Sequence, residues 1–169
     1  MNEGQRVERQ LKDELVAHNA PLPTDRKEER TMAKASSSVD LAVAADKVWK
    51  LIGGFGSLPD WLPYIPKSEL AEGGRTRHLA TPDGSTIIER LMAFDEKGRS
   101  YTYHMVQGPF PVTDYYSTLK VTETNGGKGS RVDWSGEFSP NGVSDQEASQ
   151  IVQKIFDDGL KALAAKFPK

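Results

Sequence analysis

The chain contains no cysteine. That excludes disulfide bonds, thiolate nucleophiles and every metal site built on sulfur ligands. It has no run of ~18 apolar residues, the length that a membrane-spanning helix requires. Charge of one sign is not in excess either, since 22 basic residues stand against 24 acidic ones for a net charge of −2. With no basic field, nucleic acid is not expected as a partner. Histidine is scarce, and His18, His78 and His104 are scattered, so no metal or other cofactor is expected. The G-x-S-x-G and H-E-x-x-H signatures are missing. Gly54-Phe55-Gly56-Ser57-Leu58-Pro59 lacks the last glycine of a dinucleotide fingerprint, and no strand leads into it. Gly126-Gly127-Lys128-Gly129-Ser130 lacks phosphate-loop spacing and reads as a hairpin tip. Met1–Gln10 is polar throughout, unlike the apolar region of a signal peptide, so a cytoplasmic location is expected.

What is present is best read from the C-terminal end. Ser144-Asp145-Gln146-Glu147 is a capping box, in which the Ser144 hydroxyl takes the backbone N–H of Glu147. Beyond it, Ala148, Ile151, Val152, Ile155, Phe156, Gly159, Leu160, Leu163 and Phe167 recur at the spacing of one helix face. Pro168 ends the helix. A long helix with one apolar stripe needs a broad surface to cover. Gly159 interrupts the stripe where a large residue is expected, at a helix-propensity cost of ~1 kcal/mol relative to Ala. Two readings stay open: close approach to a strand or an aromatic ring, or a space kept open above the helix.

The rest of the chain supplies strands. Residues 1–34 hold seven basic and seven acidic residues, with prolines at 21 and 23. They read as part of a flexible N-terminal extension, residues 1–35, with a marginal helix over Arg6–His18. A domain is expected over residues 36–169. Ser36–Val43 alternates as a first strand, and two short helices follow, Ala44–Ile52 and one entered at Leu58-Pro59. Strand-like pieces then span Ser68–Ala71, Arg75–Ala80, Thr86–Phe94, Ser100–Val106, Val112–Glu123 and Ser130–Phe138. Short turns between them favour an antiparallel meander. The fold class is α+β, with helices on one face of a curved sheet.

Alternation also sorts the side chains. Tyr115, Ser117, Leu119 and Val121 face inward, as do Val132, Trp134, Gly136 and Phe138, and Tyr101, Tyr103 and Met105. In Thr86–Phe94 the parity is ambiguous, with either Glu89 or Arg90 inside. The inner surface is therefore aromatic with few polar groups. That is either a plain aromatic core or an apolar pocket with orienting polar groups.

The element order resembles a known superfamily, and so do several motifs. These are Ile88-Glu89-Arg90-Leu91, Tyr101–Val106, Gly108-Pro109-Phe110-Pro111-Val112, Asp114-Tyr115-Tyr116-Ser117 and Val132-Asp133-Trp134-Ser135-Gly136. The chain looks like the START-like superfamily, the SRPBCC or helix-grip group. That group includes bacterial polyketide cyclase/dehydrase-like proteins, birch-pollen-allergen-like proteins and the plant abscisic acid receptors. The resemblance covers Ser36–Phe167. It implies a seven-stranded antiparallel sheet gripping the long C-terminal helix around a hydrophobic cavity. By likeness to the receptors, Glu89, Tyr103, Tyr115, Ile151, Ile155 and Gly159 fall at lining positions, which places Glu89 inside. Pro82–Ser85 and Gly108–Pro111 fall where the receptors carry two closing loops. Gly159 stands in place of a polar residue there, and neither the latch residues nor the hormone-specific lysine is present, so the hormone function does not carry over.

The ligand-binding set expected is then Trp61, Glu89, Tyr101, Tyr103, Met105, Phe110, Tyr115, Ser117, Trp134, Ile151, Ile155, Gly159 and Leu163. The expected partner is a hydrophobic or aromatic small molecule. Binding or carriage of such a molecule is the favoured function. The alternative is a cyclase or dehydratase in which Glu89 moves protons and tyrosines orient a carbonyl. An apolar cavity should push the Glu89 carboxyl above its ordinary range unless a cation such as Arg77 or Arg75 faces it.

Overall fold

The computed structural model describes residues 32–168, so the expected helix over Arg6–His18 lies outside the described residues. In chain order the elements are β1 (Ala33–Leu41), α1 (Ala45–Ile52), α2 (Leu58–Trp61), β2 (Lys67–Ala71), β3 (Thr76–Ala80), β4 (Thr86–Asp95), β5 (Ser100–Gln107), β6 (Val112–Thr124), β7 (Gly129–Pro140) and α3 (Asp145–Ala165). The strands form one antiparallel sheet of seven, ordered β1-β7-β6-β5-β4-β3-β2. This is the helix-grip arrangement, with α3 laid across the concave face. β1 begins three residues before the expected Ser36, because Ala33 and Ala35 are small apolar residues that bury opposite Phe138 and Gly136.

The helix α3 forms where its cap and stripe place it. The Ser144 hydroxyl accepts the Glu147 N–H at 3.1 Å, and Ala148, Val152, Phe156, Gly159, Leu160 and Leu163 are buried. Gln153 fastens the helix to the sheet edge: its amide nitrogen donates to the Ser36 carbonyl at 2.7 Å, and its oxygen accepts the Ser36 N–H at 3.2 Å. Those are β1 edge groups that would otherwise invite another strand. Against β7, the helix seats on an aromatic stack, with the Trp134 and Phe156 rings 4.8 Å apart and Trp61 5.7 Å from Trp134. Gly136 lets Phe156 approach, since a Cβ there would lie 3.2 Å from Phe156 Cζ.

The inward sets expected for β5, β6 and β7 are buried, and in β4 it is Ile87 and Glu89 that turn inward. A bulge resolves the parity of β6. Val112 and Tyr115 are both buried although three residues apart, because Asp114 adopts φ 49° and the register with β7 shifts between Thr113 and Tyr116. Such a bulge re-aims the side chains that follow it. Here it turns Tyr115 toward the helix.

The open space entertained above Gly159 is not there. A Cβ on Gly159 would sit 2.6 Å from Trp134 Cζ3, 2.8 Å from the Tyr64 hydroxyl and 3.2 Å from Leu62 Cδ2. The close-approach reading holds, and Gly159 is a packing glycine. Gly159→Ala should therefore lower stability by about 1–3 kcal/mol, because overpacking against a ring outweighs the ~1 kcal/mol of recovered helix propensity. Urea denaturation measures it; a variant as stable as the parent would contradict this packing.

Candidate functional site

A cavity lies between the β3–β6 floor, α2 with the segment after it, and the middle of α3. Its walls are mostly apolar: Leu79 and Ile87 on the floor, Leu58 and Leu62 on one side, Val152 and Ile155 from α3. The strands bring in its polar end. Arg77 on β3 stands directly opposite Glu89 on β4, and cross-strand neighbours on one face are within side-chain reach. Arg77 Nε donates to Glu89 Oε2 at 2.6 Å. The pair is enclosed, with Arg77 1% and Glu89 7% exposed.

The remaining Arg77 contacts compensate for that burial. Nη1 donates to the Phe55 carbonyl at 2.9 Å, and the guanidinium lies 4.2 Å from the centre of the Phe55 ring and 4.8 Å from that of Tyr103. Burial alone would lower the Arg77 pKa, but the Glu89 carboxylate together with Tyr101 and Tyr103 outweighs it and holds it above its ordinary value. Arg77 is thus a fixed cation. Of the two cations expected as able to face Glu89, Arg77 is the one that does. Glu89 Oε1 has no hydrogen-bond partner among the described residues.

The phenols beside this pair are also part of the wall. Tyr103 and Tyr115 both line the cavity, with ring centres 6.2 Å apart. Trp134 Nε1 donates to the Tyr103 hydroxyl and to Ser117 Oγ, each at 3.1 Å, and Ser117 in turn donates to the Ser135 carbonyl at 2.8 Å. At the rim, half-buried Tyr64, Phe110 and Ile155 meet. The Tyr64 hydroxyl donates to the Ile155 carbonyl at 3.1 Å, joining the segment after α2 to α3. The space enclosed is small, about 60 Å³, against ~300–1,000 Å³ for pockets that hold drug-sized ligands.

Seven of the residues expected from sequence come together here: Glu89, Tyr103, Met105, Phe110, Tyr115, Trp134 and Ile155. Six do not line the cavity. Trp61 and Leu163 are packed core, and Tyr101 is wedged among Trp49, Phe55 and Tyr103. Ser117 lies behind Trp134 as its hydrogen-bond partner. Gly159 is covered by Trp134 and Tyr64, and Ile151 does not line the cavity, whereas Val152, one position on, does. Of the two loops expected at the entrance, Gly108–Pro111 contributes Phe110, whereas Pro82–Ser85 does not reach the lining. Arg77 was expected only as one of two cations that could face Glu89, and Tyr64 was not expected in the site. Arg77 was signalled by sharing strand parity with Leu79; Tyr64 sits in an irregular segment where no periodicity speaks.

Burial raises the pKa of the Tyr101, Tyr103 and Tyr115 hydroxyls above the ordinary value of 10.0. Their folded-state protons are held more tightly than unfolded ones, so this stability is complete below pH ~10 and is lost as pH rises further. In carbon-labelled tyrosine NMR, these three resonances should keep their protonated positions above pH ~10 until the protein unfolds. Titration of any of them near 10 within the folded protein would contradict the enclosure described.

A family model described as polyketide cyclase / dehydrase and lipid transport matches residues 32–168. Among solved structures, an uncharacterized protein from Bacillus thuringiensis is 56% identical, the match covering 80% of this chain and 98% of that one at a TM-score of 0.78. XoxI from Bacillus cereus is 55% identical, covering 80% and 96% at 0.78. Zhui aromatase/cyclase from Streptomyces sp. R1128 shares the fold at 17% identity, covering 80% and 93% with a TM-score of 0.66. The chain belongs to the polyketide cyclase/dehydrase and lipid transport family.

Proposed function

We propose that this protein binds and carries a hydrophobic small molecule in the cavity between sheet and α3. The observation that carries this reading is an apolar enclosure into which a few convergent polar groups are built, the composition of ligand pockets in general. At about 60 Å³ the cavity is contracted, so uptake requires the rim to yield. The rim can do so cheaply. Releasing the Tyr64–Ile155 bond removes one neutral hydrogen bond, worth about 0.5–1.5 kcal/mol net, and Phe110 sits on a short loop that is not part of the ladder.

A cyclase or dehydratase is the second reading, favoured by the unpartnered Glu89 Oε1 beside the Tyr103 and Tyr115 phenols. Against it, the other carboxylate oxygen is committed to Arg77. A proton carried by Glu89 would have to be exchanged within a buried ion pair, and breaking such a pair is costly. Turnover of an aromatic polyketide mimic that is lost in Glu89→Gln would favour the enzyme.

The binding reading is tested at the rim. An apolar fluorescent probe should bind the parent protein, and native mass spectrometry should find a co-purified apolar molecule. Ile155→Trp fills the mouth from a half-buried position, so probe affinity should fall by at least ~tenfold while stability stays within about 1 kcal/mol. A parent that takes up no probe, or a variant that binds it equally well, would remove this function.

A further inference from the structure

The polar end of the cavity is informative about the ligand's head. A lone arginine in an apolar pocket would call for an anion, as in the recognition of a carboxylate. Arg77 is not alone. Its charge is matched by Glu89 at 2.6 Å, its Nη1 is bonded to the Phe55 carbonyl, and aromatic rings cover its faces. Among the described residues, the hydrogen bonds of the wall leave without a partner an acceptor, Glu89 Oε1, the phenol protons of Tyr103 and Tyr115, and Arg77 Nη2, whose charge Glu89 already matches. The Tyr103 oxygen accepts from Trp134, which leaves its own proton available.

Resting on the binding reading above, we propose that the cavity selects neutral, hydroxyl-bearing apolar molecules of the phenol or alcohol class and rejects carboxylates. The ligand hydroxyl donates to Glu89 Oε1, a charge-assisted bond of the stronger kind. Its oxygen is left free to accept from a phenol of the wall. An anionic head would bring a second negative charge beside Glu89 in a water-poor enclosure, with no uncompensated cation to meet it. The pair thus acts as a filter: Arg77 holds the carboxylate in place, and the carboxylate reads the ligand.

Four probes of one size separate the possibilities at neutral pH: naphthol, naphthalene, methoxynaphthalene and naphthoate. Naphthol should bind at least ~tenfold more tightly than naphthalene or methoxynaphthalene, as expected for a hydrogen bond to a charged acceptor. Naphthoate should bind most weakly. Glu89→Gln leaves Arg77 uncompensated, so the order should reverse, with naphthoate gaining at least ~tenfold and naphthol losing its advantage. Tyr115→Phe keeps the carboxylate and should retain the naphthol preference. In the unsubstituted protein, the carbon-labelled Glu89 carboxyl resonance should shift on adding naphthol and stay in place on adding naphthalene, a measurement that does not depend on any variant folding. Naphthoate binding as tightly as naphthol, or a Glu89 resonance indifferent to naphthol, would overturn the proposal. If none of the four binds, the cavity reading itself fails; if all bind without preference, only this inference does.

Discussion

The buried ion pair between Arg77 and Glu89 is the constraint around which one end of the molecule is arranged. Enclosing two charges costs several kcal/mol per ion, and mutual attraction repays it only when geometry is good and the remaining donors are occupied. Here the pair is set by direct opposition on β3 and β4. The Arg77 bond to the Phe55 carbonyl ties the connection between α1 and α2 to the sheet floor. The rings of Phe55 and Tyr103 cover the guanidinium, so loop, floor and aromatic wall converge on one side chain.

The other end of the grip is solid. Trp61 and Trp134 pack with Phe156 between the sheet and α3, and Gly136 and Gly159 are the two points where backbone must come close enough for that cluster to fit. The interior therefore divides into a packed half around Trp134 and a hollow half bounded by the ion pair. Trp134 joins them, with its indole N–H bonded to Tyr103 and Ser117 and its ring pressed to the helix. The family relationship fits this division, since a helix-grip fold offers its cavity between sheet and helix without dictating what occupies it. In this chain the cavity is small and its cation is already neutralised.

Much of the fold was legible because it follows from periodicity. The capping box, the α3 stripe and the inward sets of β5, β6 and β7 are local patterns that burial enforces. The site was legible only in part, for two physical reasons. Alternation tells which face a residue occupies but not whether that face is packed or hollow, so Trp61, Tyr101 and Leu163 could not be told from Tyr103 and Tyr115. Which residues of the α3 stripe reach the hollow, Val152 and Ile155 but not Ile151, is set by tertiary packing that periodicity does not carry. The sequence could not choose between Arg77 and Arg75 as the cation facing Glu89, for a further reason. A charged residue on an inward position reads as an exception until the partner on the next strand is known.

The central claim is that the ion pair equips the cavity rather than holds the fold together. Replacing both members by apolar residues of similar size, Arg77→Met with Glu89→Leu, tests it most directly. Buried pairs replaced in this way are often neutral or stabilising by about 1–4 kcal/mol. The account predicts a cooperatively melting protein, at least as stable as the parent, that still takes up an apolar probe but no longer distinguishes a hydroxyl head from none. A double variant that fails to fold, or one that keeps its preference for the hydroxyl, would contradict it.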